Sequence, residues 1–196
     1  MGEGHGFGKT ILFGEHFVVY GLPAIASALE KTTTAKVEKA EKFEFVDNRP
    51  ETPGYKEGKK EEIQRQLDAL LKHFKIDPEK NPIKITLGGN LLCTSGVGAS
   101  AALAVSISRA LNQMLGLRMD DEQINKAAYI AEKAGSGTPS GIDNTCSVYG
   151  GFITFEKNLE GGPNKIGRLS IGTPVEIVLA STGITQETKA VVGDVR

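Results

Sequence analysis

The chain has 196 residues, enough for one good-sized core or for one domain plus part of another. Its 23 Lys and Arg balance 24 Asp and Glu, leaving a net charge of −1, which argues against a nucleic-acid-binding surface. Two cysteines (Cys93, Cys146) and three histidines (His5, His16, His73) stand at no disulfide or zinc spacing, no apolar run could span a membrane, and the start lacks a signal-peptide core, so a soluble cytoplasmic protein is expected.

In chain order, residues 1–8 read as a glycine-rich lead-in and Lys9 to Phe13 as a strand. Gly14-Glu15-His16 interrupts that strand, and Phe17 to Tyr20 resumes it. Ala24 to Leu29, Thr32 to Val37 and Lys42 to Val46 read as further strands, and Asp47 to Lys59, with Pro50, Pro53, Gly54 and Gly58, as a loop. Lys60 to Phe74 is an amphipathic helix, with Ile63, Leu67, Leu70, Leu71 and Phe74 on one face. Pro82 to Leu87 is a strand, residues 100–116 a helix, and 121–134 a second helix capped by Asp120 with Gln123 three residues on. Ser140 to Asn144 opens a new segment before a turn and strand over Tyr149 to Phe155. Val175 to Ala180 reads as an apolar strand, and a helix begins at Thr185.

Thr94-Ser95-Gly96-Val97-Gly98-Ala99-Ser100-Ala101-Ala102 is a glycine-rich loop running into the helix marked by Leu103, Ile107, Leu111 and Met114. A helix start has unpaired N–H groups and partial positive charge, which together suit phosphate. Gly96 and Gly98 can take the positive φ that such a cradle often requires. Ser100 offers a hydroxyl where phosphate-bound Mg²⁺ would sit. Gly8-Lys9-Thr10 imitates the end of a Walker P-loop. Glu3 stands where that motif needs glycine, and a strand rather than a helix follows.

Each remaining candidate has a bland explanation when taken alone. Lys9 could be a solvated lysine, Glu132 a surface charge paired with Lys133 or Lys126, and Asp143 a helix cap. Glu15 and His16 place ionisable groups between Phe13 and Phe17, which is costly unless they are paired or face a cleft. Together the set gives a phosphate cradle, one hydroxyl and one carboxylate for a hard metal (Ser100, Glu132), a lysine and a second carboxylate. That inventory suits phosphoryl transfer from ATP to an alcohol.

Lys9 to Gly21 resembles the first motif of mevalonate kinases. Ser95 to Ala102 resembles the second motif of the wider superfamily of galactokinase, homoserine kinase, mevalonate kinase and phosphomevalonate kinase. Thr138 to Asn144, followed by Tyr149-Gly150-Gly151, resembles the mevalonate kinase segment that bears the catalytic Asp. The resemblance implies an α+β fold, with an N-terminal domain like the second domain of ribosomal protein S5 over residues 1–172. Residues 173–196 would start a C-terminal domain of which this chain holds only the beginning.

It also implies roles. Asp143 would take the proton of the primary hydroxyl of mevalonate, and Lys9 would stabilise the charge that develops. Ser95, Gly96, Val97, Gly98, Ala99 and Ser100 would wrap the ATP phosphates, and Ser100 and Glu132 would hold Mg²⁺. Glu15, His16 and Thr182 would join Lys9 and Asp143 around mevalonate. The partners are thus mevalonate and ATP, with a homodimer left open and neither nucleic acid nor membrane expected. Two departures stand out: Phe7-Gly8 replaces the usual Pro-Gly, and Ala99-Ser100 the usual double Ser.

Overall fold

A computed structural model describes residues 1–137, 139–173 and 175–180. Residues 181–196, with Thr182 and the helix expected from Thr185, lie outside the described residues, as does Thr138.

The described residues form one six-stranded sheet with helices packed on a face of it. The long strand β2 (Ala24–Lys39) is its spine. β1 (Gly2–Phe13) pairs antiparallel along one edge of β2. Along the other edge β2 pairs antiparallel with β4 (Ile83–Gly89) in its second half and with β5 (Phe152–Glu156) in its first. β3 (Glu44–Asp47) runs parallel to β4, and β6 (Lys165–Leu169) antiparallel to β5. The two strands expected over 24–37 are therefore one. Charge at Glu30 and Lys31 interrupts the apolar pattern, but no Gly or Pro interrupts the backbone, so the ladder continues.

The glycine-rich lead-in is also strand, contrary to expectation. A Cβ on Gly2 would lie 2.1 Å from the Ala110 carbonyl oxygen, on Gly4 2.3 Å from that of Ser106, and on Gly6 2.5 Å from that of Ala102. Alternate strand residues face one side, and residues four apart stack along one helix face. The three glycines thus let β1 lie directly against α3 (Ala99–Leu115).

Nearly every α3 residue from Ala99 to Leu111 is buried, so α3 is the central helix. α2 (Lys60–His73) and α4 (Asp121–Ser136) complete the main core, where Leu67, Leu70, Leu103, Ile107, Leu111 and Ile124 meet Ile85 and Leu87 of β4. The α4 cap is as read from the sequence: Asp120 Oδ1 accepts from the Gln123 N–H at 2.8 Å, and the Asp120 N–H donates to Gln123 Oε1 at 3.0 Å. α5 (Ile142–Tyr149) follows, over a second core cluster of Val18, Ile142, Cys146, Ile153 and Phe155. Three further readings change. Phe17–Tyr20 is a 3-10 turn rather than strand, closed by Val18 N–H to Gly14 O and Gly21 N–H to Val18 O. A short helix α1 (Tyr55–Gly58) lies in the expected loop. Residues 175–180 carry no strand; Val178 is 87% exposed there, and no described strand pairs with them.

Candidate active site

The glycine loop lies between β4 and α3, at the end of α3 where carbonyls are already paired and N–H groups are not. Gly96 and Gly98 take φ of 89° and 69°, and Gly98 stands at the N-cap of α3. The first intrahelical bond runs from the Ala102 N–H to the Gly98 carbonyl, so the N–H groups of Ala99, Ser100 and Ala101 lack an acceptor within the helix. No acidic residue occupies the first turn. α4, by contrast, carries a capping box made by its own side chains. The α3 end is therefore open to an anion, with nothing within 4 Å of where a Gly96 Cβ would point.

Lys9 is fixed to this loop. Its N–H donates to the Val97 carbonyl at 2.9 Å, and a Cβ on Gly98 would lie 2.7 Å from Lys9 Cγ. The side chain is 4% exposed and ends 3.2 Å from Asp143 Oδ1. Burial pulls the Lys9 ammonium down, but the Asp143 and Glu15 carboxylates outweigh it and hold the pKa above its ordinary value. Lys9 is thus a permanent cation, not a base.

Asp143 sits in the first turn of α5, where the helix dipole favours a carboxylate. Its neighbour Asn144 is buried, and Nδ2 donates to Asn125 Oδ1 of α4 at 2.7 Å, while Thr145 Oγ1 donates to the Gly141 carbonyl at 2.6 Å. The first bond ties α5 to α4 and the second braces the first turn of α5, which carries Asp143. Its side chain is 36% exposed, so one side meets Lys9 and the other remains open.

Glu132 of α4 does not pair with Lys133 or Lys126 at the surface. Lys126 Nζ meets Glu122 at 2.8 Å, while Glu132 is 7% exposed and accepts from Ser100 Oγ at 2.8 Å. Burial, with the nearby Asp143 charge, pushes the Glu132 carboxyl up to about 7, against the pull of the Ser100 bond. A cation would relieve that penalty. Among the described residues no group of three or more His, Cys, Asp and Glu is placed to hold a metal ion. Mg²⁺ bound to phosphates needs no such cage, because it keeps water and takes only one or two protein carboxylates. Ser100 and Glu132 fit that donor set.

The structure thus brings together Lys9, Ser95 to Ser100, Glu132 and Asp143. Glu15 is exposed on the turn before Phe17, close enough to Lys9 to act on its charge, and His16 is half-buried with φ of 64°. The cost assigned to charges between Phe13 and Phe17 does not arise, since those rings are 68% and 50% exposed. Thr182 lies outside the described residues.

Three residues near the site went unread in the sequence. Gln66 and Glu62 of α2 reach Ser100: Gln66 Nε2 donates to Ser100 Oγ and, at 2.8 Å, to Glu132 Oε1, while Ser100 Oγ lies 3.3 Å from Glu62 Oε1. Their only signal was that they interrupt no helix pattern. Arg49 is 3% exposed, paired with Asp47 at 2.7 Å, and donates to the Ala99 carbonyl at 3.1 Å, bracing the first turn of α3. It stood in a stretch read as plain loop.

Residues 61–151 match the family described as "GHMP kinases N terminal domain". The chain is similar to the mevalonate kinase of Pyrococcus furiosus (33% identical over 96% of this chain and 59% of that protein) and to that of Thermococcus gammatolerans (35% identical, the same shares). The crystal structure of L. major mevalonate kinase in complex with R-mevalonate superimposes with a TM-score of 0.90 at 36% identity, over 100% of this chain and 60% of that one. A D-glycero-D-manno-heptose 1-phosphate kinase superimposes with a TM-score of 0.67 at 17% identity, a likeness of fold alone. The chain spans about three fifths of the length of the mevalonate kinases it matches. Fold, motifs and sequence similarity agree: residues 61–151 resemble the N-terminal domain of the GHMP kinases, and the chain is similar over most of its own length to mevalonate kinases.

Proposed function

We propose that this chain supplies the phosphoryl-transfer site of an ATP-dependent mevalonate kinase. The observation that carries the reading is the Lys9–Asp143 pair, 3.2 Å apart, with Lys9 bonded to the glycine loop through Val97. The reaction joins an alcohol oxygen to the γ-phosphorus of ATP and breaks the bond from that phosphorus to ADP. The N–H groups at the start of α3 and residues 95–100 hold the phosphates. Asp143, open on the side away from Lys9, accepts the proton of the primary hydroxyl of mevalonate as its oxygen attacks. Lys9 orients Asp143 from 3.2 Å, and its ammonium offsets the negative charge that gathers on the transferring group. Glu15 and His16 line the mevalonate side. Ser100 and Glu132 would hold Mg²⁺, which would neutralise phosphate charge. Mevalonate and ATP meet in the cytoplasm in this reading; among the described residues no helix is long and apolar enough to cross a membrane.

The test is ADP release from MgATP with and without mevalonate. Asp143→Asn should slow mevalonate-dependent release by about 10²–10⁴ while leaving ATP binding nearly intact, the usual loss for a general base. Unchanged turnover removes Asp143 from the mechanism. Faster turnover on galactose, homoserine or phosphomevalonate would replace mevalonate as the substrate while keeping the phosphotransfer.

A further inference from the structure

Helix α2 enters the site from a side that no motif marks. Gln66 is 0% exposed, and its Nε2 donates both to Ser100 Oγ and to Glu132 Oε1. Its Oε1 is buried and has no partner. An amide buried with half its capacity unmet is a poor choice for a core, where a leucine of similar volume would fill the space. One turn earlier on the same face stands Glu62, with Oε1 3.3 Å from Ser100 Oγ. Lys59 Nζ holds its other oxygen at 2.7 Å and so fixes the carboxylate.

The protons at this cluster do not suffice. Ser100 has a single hydroxyl hydrogen, and the nearer acceptor is Glu132 Oε1 at 2.8 Å. Gln66 contributes its amide hydrogens to Ser100 and Glu132. Glu62 Oε1, 3.3 Å from Ser100 Oγ, therefore competes with Glu132 Oε1 for that one hydrogen. A hydroxyl and two carboxylates from three helices, gathered with too few donors, form the oxygen set that a hard divalent cation takes.

We propose that α2 completes the metal site: Glu62 adds a second carboxylate to Ser100 and Glu132, and Gln66 is the positioning residue that holds those two oxygens. The inference rests on the phosphoryl-transfer reading above, with Mg²⁺ as the resident cation. Gln66 touches neither substrate and acts through Ser100 and Glu132. Glu62 at 19% side-chain exposure keeps a path to solvent, through which a hydrated ion can enter.

The experiment titrates Mn²⁺ into the protein with ADP present and reads free Mn²⁺ by electron paramagnetic resonance, with no turnover required. Glu62→Gln, which keeps shape and removes charge, should weaken Mn²⁺ binding about 10-fold. Gln66→Met, which keeps volume, should weaken it about 10–100-fold, the range for residues that orient metal ligands. Metal-free ADP binding should be unchanged in both, which a merely structural loss would not spare. If Gln66→Met does not fold, Glu62→Gln carries the test, because its side chain is partly exposed. Unsubstituted Mn²⁺ affinity in Glu62→Gln overturns the inference and leaves the phosphoryl-transfer reading standing. An unsubstituted protein that takes up no Mn²⁺ with ADP overturns that reading and the inference with it.

Discussion

Lys9 and Glu132 are both buried charges, yet their surroundings treat them oppositely. Lys9 has a carboxylate partner 3.2 Å away and is held charged; Glu132 has hydroxyl and amide donors but no cation, and its carboxyl stands at about 7 against an ordinary 4.5. Lys9→Met should cut kcat by about 10²–10³, the loss typical of one group that stabilises developing charge, with KM for ATP less affected. A raised KM with normal kcat would remove Lys9 from that role. For Glu132 the folded state retains a proton that the unfolded chain releases. Stability therefore falls as pH rises from about 4.5 to about 7, by about 3 kcal/mol in all. Glu132→Gln removes this slope, so melting temperatures of variant and unsubstituted protein should agree near pH 5 and diverge by pH 8, the variant being the more stable. Parallel pH profiles would show that Glu132 is not strained by its burial.

At the scale of elements, the contact between β1 and α3 places Lys9 against the glycine loop. Gly2, Gly4 and Gly6 allow that contact because their missing side chains leave room for three carbonyls of α3. Gly4→Ala would put a methyl group 2.3 Å from the Ser106 carbonyl oxygen, and backbone cannot step aside as a flexible side chain can. The expected cost is about 1–3 kcal/mol, read as a lower urea midpoint, with β1 pushed from α3 and activity lowered along with stability. Gly58→Ala serves as the control, since nothing lies within 4 Å of its added methyl. Equal effects from the two would argue against the close approach.

At the scale of the whole molecule, the central helix α3 lies in the main core, joins Tyr55, Leu91 and Cys93 through Ala99 and Ala102, and packs on α5, so opening should be cooperative. Cys93 and Cys146 report on this, because both thiols are free and buried, and burial beside Asp143 pushes Cys146 up to about 12. A thiol reagent should label native protein slowly, at a rate that follows unfolding across a urea series. Rapid labelling of Cys146 in native protein would mean that α5, and Asp143 with it, opens independently of the rest.

Local chemistry was legible from residue order alone. The glycine loop needs flexible backbone at fixed steps, α4 announces itself by Asp120 and Gln123, and α2 by its apolar face, so the sequence determined these elements and singled out Lys9, Ser100, Glu132 and Asp143 as candidates. What it left open depends on neighbours far along the chain. A glycine-rich lead-in becomes a strand because β2 pairs along it, with α3 lying close against its bare face, and Phe17–Tyr20 turns with no described strand paired to it. Glu132 is a buried carboxylate rather than a surface one because α2 and α3 close over it, bringing Gln66 and Glu62 to Ser100. Periodicity records which face of a helix is apolar, whereas the partner that meets each polar group is fixed only when the helices pack.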